Sequence, residues 1–148
     1  MTINRKTTSS EKVTTSPLPT MGGLRLTRQR QEVYQTLLEQ RDHPTAGEVY
    51  LRVRNKMPSI SLATVYNCLD ALVVHKLVKQ VNFDREPSRF CPNFVQHGHF
   101  QDMMTGVIHD ITFKEGVRLE EFLNLPEGAC IDEIDIALRG RCVIPTTK

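Results

Sequence analysis

At 148 residues, with 39% hydrophobic and 24% charged side chains, the chain can bury a core of its own but hardly more than two small lobes. No apolar run approaches a membrane span or a secretory h-region, which argues against a membrane-spanning helix and points to the cytoplasm, with no membrane partner. The four cysteines, Cys68, Cys91, Cys130 and Cys142, show no C-x-x-C pair and no framework spacing, so reduced thiols suit them better than disulfides.

The net charge of +2 is unevenly spread. Residues 1–23 carry +2, residues 24–80 carry nine basic against five acidic groups, and residues 81–148 carry seven against eleven. A basic half joined to an acidic half is the pattern of a chain whose first part meets a polyanion, although solvated charge without a partner also accommodates so modest an excess.

In chain order, residues 1–23 are rich in Thr, Ser, Lys and Pro, lack apolar periodicity, and read as a disordered arm closed by Met21-Gly22-Gly23. Thr27 is a fitting N-cap for a helix to about Glu39, with Val33, Tyr34, Leu37 and Leu38 on one face. Thr45 and Glu48 have the spacing of a capping box, which starts a second helix to about Met57 with Val49, Tyr50 and Val53 inward. Pro58-Ser59-Ile60-Ser61 breaks that helix and offers Ser61 as the next cap. A third helix over 62–75 buries Leu62, Val65, Leu69, Leu72 and Val73 and turns Thr64, Tyr66, Asn67 and Asp70 outward. Three short helices, the last polar on its outer side, make the helix-turn-helix plan. Residues 78–83 and 88–90 read as the two strands of a wing. Residues 100–103 and 107–113 look like a second hairpin turning at Thr105-Gly106, followed by an amphipathic helix over 117–123 and a strand over 130–138 with Ile131, Ile134 and Ile136 apolar. The fold class is therefore α+β: an N-terminal winged helix-turn-helix over 24–91 and a small α/β lobe over 92–148. A lobe so small leaves an apolar face and a bare sheet edge that a second copy would cover, so a homodimer is expected.

Between the two lies Cys91-Pro92-Asn93-Phe94-Val95-Gln96-His97-Gly98-His99, with Asp110 eleven residues beyond His99. Residues two apart in a strand share a face, so His97 and His99 can aim at one point, with Cys91 folded back across a short turn. Imidazole, thiolate and carboxylate together suit a borderline divalent metal. The alternative is a set of polar residues spread over a surface loop.

Four stretches carry a resemblance. Leu24-Arg25-Leu26-Thr27-Arg28-Gln29-Arg30, His43-Pro44-Thr45-Ala46, Ser61-Leu62-Ala63-Thr64-Val65-Tyr66-Asn67 and His97-Gly98-His99 fall in order at the spacing of the ferric uptake regulator family, and the chain resembles it from about Leu24 to Leu138. The resemblance implies a dimeric, metal-responsive transcriptional repressor with no catalytic role. It implies a sensing site of His43, Cys91, His97, His99 and Asp110 holding one Zn²⁺ or Fe²⁺ per subunit, with Mn²⁺ a further option. It also implies double-stranded DNA as partner, in the form of an A·T-rich inverted-repeat operator. Tyr66 and Asn67 resemble the base-reading pair, Thr64 would touch phosphate beside the cap Ser61, Arg25 resembles a minor-groove residue, and Arg28 and Arg30 are phosphate candidates or solvated helix residues.

Two departures bear on the chemistry. Asp102 and Thr105 stand where many relatives place a first Cys-x-x-Cys pair, and Cys142 has Pro145 as its would-be partner, so no structural four-cysteine zinc is expected. Cys91 stands where a carboxylate is usual, and a thiolate tilts preference towards Zn²⁺. An iron-loaded peroxide sensor and a haem-responsive regulator (through Cys91-Pro92) are the alternatives within the family. A zinc-dependent hydrolase is the alternative outside it, but H-E-x-x-H or an equivalent motif is absent from the sequence.

Overall fold

In the computed structural model, described over residues 20–93 and 95–143, three side-chain caps start three helices. Thr27 accepts from the Arg30 amide and starts α1 (Arg28–Glu39), and Thr45 and Glu48 form both halves of the capping box that starts α2 (Ala46–Lys56). Ser61 accepts from the Thr64 amide and starts α3 (Leu62–Val74). The apolar stripes then meet: Val33, Leu37, Val49, Val53, Val65, Leu69 and Leu72 are all fully buried, each contributing about 1.5–3 kcal/mol of transfer free energy.

Before α1, β1 (Thr20–Met21) pairs with β2 (Leu24–Arg25) around Gly22 and Gly23. Gly22 has φ +55° and a Cβ there would lie 3.0 Å from the His75 carbonyl, which explains a glycine at this turn. The end of the expected disordered arm is thus a hairpin, and residues 1–19 lie outside the described residues. After α3, β3 (Lys79–Val81) and β4 (Arg89–Cys91) make the antiparallel wing, with Lys79 opposite Cys91. The wing also grips the turn before α2: the Phe90 amide donates to the Pro44 carbonyl at 3.0 Å, and Thr45 and Arg89 form a single antiparallel bridge.

The C-terminal sheet has the order β6-β5-β7, with β5 (Gly98–Asp102) central, antiparallel to β6 (Ile108–Ile111) and parallel to β7 (Ala137–Gly140). Three expectations need correction. The amphipathic helix over 117–123 is one short 3-10 turn, Leu119–Phe122, with Phe122 73% exposed, because the described chain offers nothing for its apolar side to pack against. The strand over 130–138 is confined to Ala137–Gly140; Ile131, Ile134 and Ile136 are half-buried outside it, and the Ile136 carbonyl accepts from the His99 amide at 2.8 Å at the start of the ladder. Leu62 is 42% exposed because it is the first residue of α3, one turn short of the core, while Cys68 is buried in the stripe instead.

The helical unit and the sheet meet over a second small apolar cluster of Val81, Phe83, Cys91 and Ile108. Polar clips flank it. Arg139 donates to the Asp84 carbonyl at 2.7 Å, pairs with Glu86 at 3.6 Å and lies over the Phe83 ring, while Gln101 donates to Glu86 at 2.8 Å. Lys79 pairs with Asp135.

Candidate metal centre at the seam

Four ligand atoms converge at this seam. One from each of His43, Cys91, His99 and Asp110 lies within 4.8 Å of all the others. Each arrives for a local reason. His43 sits in the turn before α2 with φ +55°, a strained conformation for a non-glycine residue, and Arg89 donates to its carbonyl at 3.0 Å. Cys91 ends β4, next to the chain that crosses to the sheet. His99 and Asp110 are cross-strand partners in the β5–β6 ladder, so their side chains share a face. Gly98 between the two histidines is tightly packed: a Cβ there would lie 3.1 Å from both Ile111 and Ile136, so these neighbours would have to give by a few tenths of an ångström.

His97 flanks this cluster. Its Nε2 is 3.0 Å from His99 Nε2 and 3.4 Å from Cys91 Sγ, and its ring meets that of His99 edge-on. The Nε2 atoms of His43, His97 and His99 lie 2.7, 3.6 and 3.7 Å from one oxygen, Asp110 Oδ1. The structure therefore brings together all five residues expected at the metal site. His43, Cys91, His97 and His99 are buried, whereas Asp110 is about a third exposed.

Burial sets the protonation states. Desolvation pushes the Cys91 thiol up to about 11, and lowers His99 to about 4, helped by the neighbouring His43 and His97. Burial opposes ionisation of Asp110 as well, but hydrogen bonds from Asn93 and His43 outweigh it and keep that carboxyl below its ordinary range. These groups favour a carboxylate, a neutral thiol and a neutral imidazole at neutral pH, and a cation bound there would displace the thiol proton. His43 Nδ1 is buried and has no hydrogen-bond partner among the described residues. Imidazole, sulfur and carboxylate donors at this separation fit a borderline divalent cation.

The expected DNA-facing residues fall elsewhere. Ser61, Tyr66 and Asn67 are exposed on α3, and Thr64 is half-buried with its hydroxyl 2.8 Å from that of Ser61. Arg25 and Arg28 are exposed, while Arg30 spends one guanidinium N–H on the Arg25 carbonyl at 3.0 Å. At the position of the missing cysteine pair, the buried Asp102 accepts from the Met104 amide and the Thr105 hydroxyl, both at 3.0 Å. Cys130 and Cys142 are exposed. The sequence reading passed over Arg89 and Asn93, which hold the candidate ligands His43 and Asp110 in place. An asparagine two residues after Cys91 carries no signal until the fold brings Asp110 to it.

A winged helix joined to a small sheet through a His, Cys and carboxylate pocket defines a DNA-binding fold with a metal-ligand set at its seam. Residues 21–138 match the model of the ferric uptake regulator family, and the chain belongs to that family. It is 34% identical over 99 residues to the peroxide-responsive repressor PerR of Staphylococcus epidermidis, covering 67% of this chain and 66% of the repressor, just under two thirds of that relative's length. Among solved structures, the Campylobacter jejuni peroxide stress regulator aligns with a TM-score of 0.66 at 28% identity, covering 79% of this chain and 87% of that one. The ferric uptake regulator from Pseudomonas aeruginosa with manganese aligns with a TM-score of 0.62 at 25% identity, covering 82% and 92%.

Proposed function

We propose that the chain is a metal-responsive transcriptional repressor that binds A·T-rich inverted-repeat DNA as a homodimer in the cytoplasm, with no catalytic role. The observation that carries this is the convergence of donors from both sides of the seam: His43 from the turn leading into α2, and His99 and Asp110 from the sheet, with Cys91 at the crossing. A bound divalent cation would supply a link between these groups and so favour the docked arrangement of the helical unit on the sheet. The chain's own residues do the rest. The capping box and the Phe90–Pro44 hydrogen bond tie the His43 turn rigidly to α2 and β4, so a pull on His43 reaches the helix-turn-helix as a body.

On α3, exposed Tyr66 and Asn67 supply a ring for a thymine methyl and an amide for adenine. Asp70, one turn further along the same exposed side, would repel phosphate, which confines base reading to the first two turns. Arg25 and Arg28 extend the basic surface. Residues 24–91 act as the reader and residues 92–148 as the sensing and pairing lobe. In that lobe Met103, Met104, Phe122 and Leu138 are 49–73% exposed, apolar area that a second copy would cover.

Cys91 favours Zn²⁺ as the resident ion. The likeness to peroxide-responsive repressors supports iron with an oxidative response as the second reading. Haem is a poorer fit, since Cys91 is 2% exposed and a macrocycle could reach its sulfur only if the surrounding chain opened. The deciding experiment titrates the protein onto labelled A·T-rich inverted-repeat DNA with Zn²⁺, Fe²⁺, Mn²⁺ or chelator. Metal-dependent tightening supports the proposal, and an affinity that ignores chelator overturns it. Peroxide treatment of the iron-loaded complex separates the two readings.

A further inference from the structure

We infer that Asn93 is a positioning residue of the metal pocket, holding Asp110 directly and His97 through the backbone of Val95 in their ligand-presenting states. The inference rests on the metal reading of that pocket. Asn93 Nδ2 donates to Asp110 Oδ2 at 2.9 Å, Asn93 Oδ1 accepts from the Val95 amide at 3.1 Å, and the Val95 carbonyl faces His97 Nδ1 at 2.5 Å.

Each link fixes the next. A backbone N–H only donates, so the atom facing Val95 is the amide oxygen and the NH₂ group is left for the carboxylate. A carbonyl only accepts, so His97 Nδ1 carries the proton and Nε2 turns its lone pair towards Cys91 and His99. With Oδ2 of Asp110 engaged by Asn93, Oδ1 is the oxygen turned to the three imidazoles. One side chain in the crossing loop thereby orients Asp110 directly and, by holding Val95, places the carbonyl that sets the His97 tautomer, although the two donors are thirteen positions apart in sequence. Outer groups of this kind steer donors without touching the ion, and losing one typically lowers metal affinity about 10–100-fold.

The test compares the full-length wild-type protein with two variants, Asn93→Ala and Asn93→Ser. Serine is too short to reach Asp110 yet can still accept from the Val95 amide, so it separates the two halves of the chain. It also provides a second folded variant should alanine unfold the loop, with circular dichroism of the metal-free proteins as the check. Zinc affinity is measured by competition with a chromophoric chelator, and the His97 tautomer by nitrogen-15 NMR of the metal-free protein. The expected result is a loss of about 10–100-fold in zinc affinity for both variants. His97 keeps the Nδ1–H tautomer in the wild type and in Asn93→Ser but becomes mixed in Asn93→Ala. Unchanged zinc affinity, or an unchanged His97 tautomer in Asn93→Ala, overturns the inference while wild-type zinc binding stands. A wild-type protein that binds no zinc in this pocket sinks the metal reading itself, and the role of Asn93 falls with it.

Discussion

Replacing Cys91 by serine separates the chemistry of the pocket from its architecture. The side chain is 2% exposed, and its sulfur lies 3.4 Å from His97 Nε2 and 4.0 Å from Asp110 Oδ1. A serine hydroxyl fits the same space and can donate to His97, so the variant folds and loses only about 1 kcal/mol, or about 2–4 °C of melting temperature. It does not ionise at neutral pH, however, which removes one of the two anionic donors and the only soft one. Site-to-site coupling is typically about 1–3 kcal/mol, so zinc should tighten wild-type DNA binding by about 5–150-fold. Cys91→Ser should remove most of that gain while leaving the chelator-treated affinity where it was. Fluorescence anisotropy with and without zinc measures the gain. Cobalt substitution gives an independent readout, since a thiolate-to-cobalt charge-transfer band should be present in the wild type and absent in the variant. Unchanged zinc dependence in a folded variant, or a wild-type cobalt spectrum without that band, refutes the assignment of Cys91 as a ligand.

On the DNA side, Asn67→Ala should relax preference at one base pair by about 1–3 kcal/mol, whereas Arg28→Ala should weaken all sequences alike and flatten the salt slope by about one. A uniform loss from Asn67→Ala in competition assays would remove it from base reading. At the seam, Arg139→Ala deletes the clip to Asp84, Glu86 and Phe83, a partly exposed set worth about 1 kcal/mol after screening. Hydrogen exchange should quicken at residues 84–86 and stay unchanged in α1–α3; equal quickening in both would show that the clip is not local. At the β5–β6 turn, Asp102→Ala should lower the melting temperature at neutral pH. The Met104 amide above all, with the Thr105 hydroxyl, depresses the Asp102 pKa. A depressed carboxyl stabilises the fold fully above its ordinary value of 3.8 and loses that contribution as pH falls through its lowered folded value. Melts of the two proteins should therefore converge in acid, and a difference that persists at the lowest pH would mean the aspartate acts by shape alone.

Periodicity and caps made the helical unit legible. Thr27, Thr45 and Ser61 each begin a helix at the expected residue because an N-cap is a local contract between one side chain and an amide two or three residues on. The C-terminal part was less legible because its pattern depends on distant neighbours. Ile131, Ile134 and Ile136 alternate like a strand, yet only Ala137–Gly140 finds a partner, β5, whose other edge β6 already holds. Residues 117–123 have the composition of an amphipathic helix without a described surface to receive its apolar side, and packing rather than propensity supplies most helix stability.

The pocket divides along the same line. His97, Gly98 and His99 announce themselves by spacing, and the eleven-residue interval to Asp110 is what a hairpin needs to place it opposite His99. His43 gives no such sign, since a histidine before proline is an ordinary turn residue until its φ of +55° is seen. That strained turn is held by Arg89 and β4, whose last residue is Cys91, so the two candidate ligands on the helical side of the seam belong to one hydrogen-bonded piece of backbone. The candidate ligands across the seam, His99 and Asp110, likewise belong to one hairpin. On the proposed metal reading, two such hydrogen-bonded halves would report an ion through the distance between them. The elements that fix that distance without an ion, Arg139 on Glu86 and Lys79 on Asp135, are therefore the ones that should set how large the metal-dependent response can be.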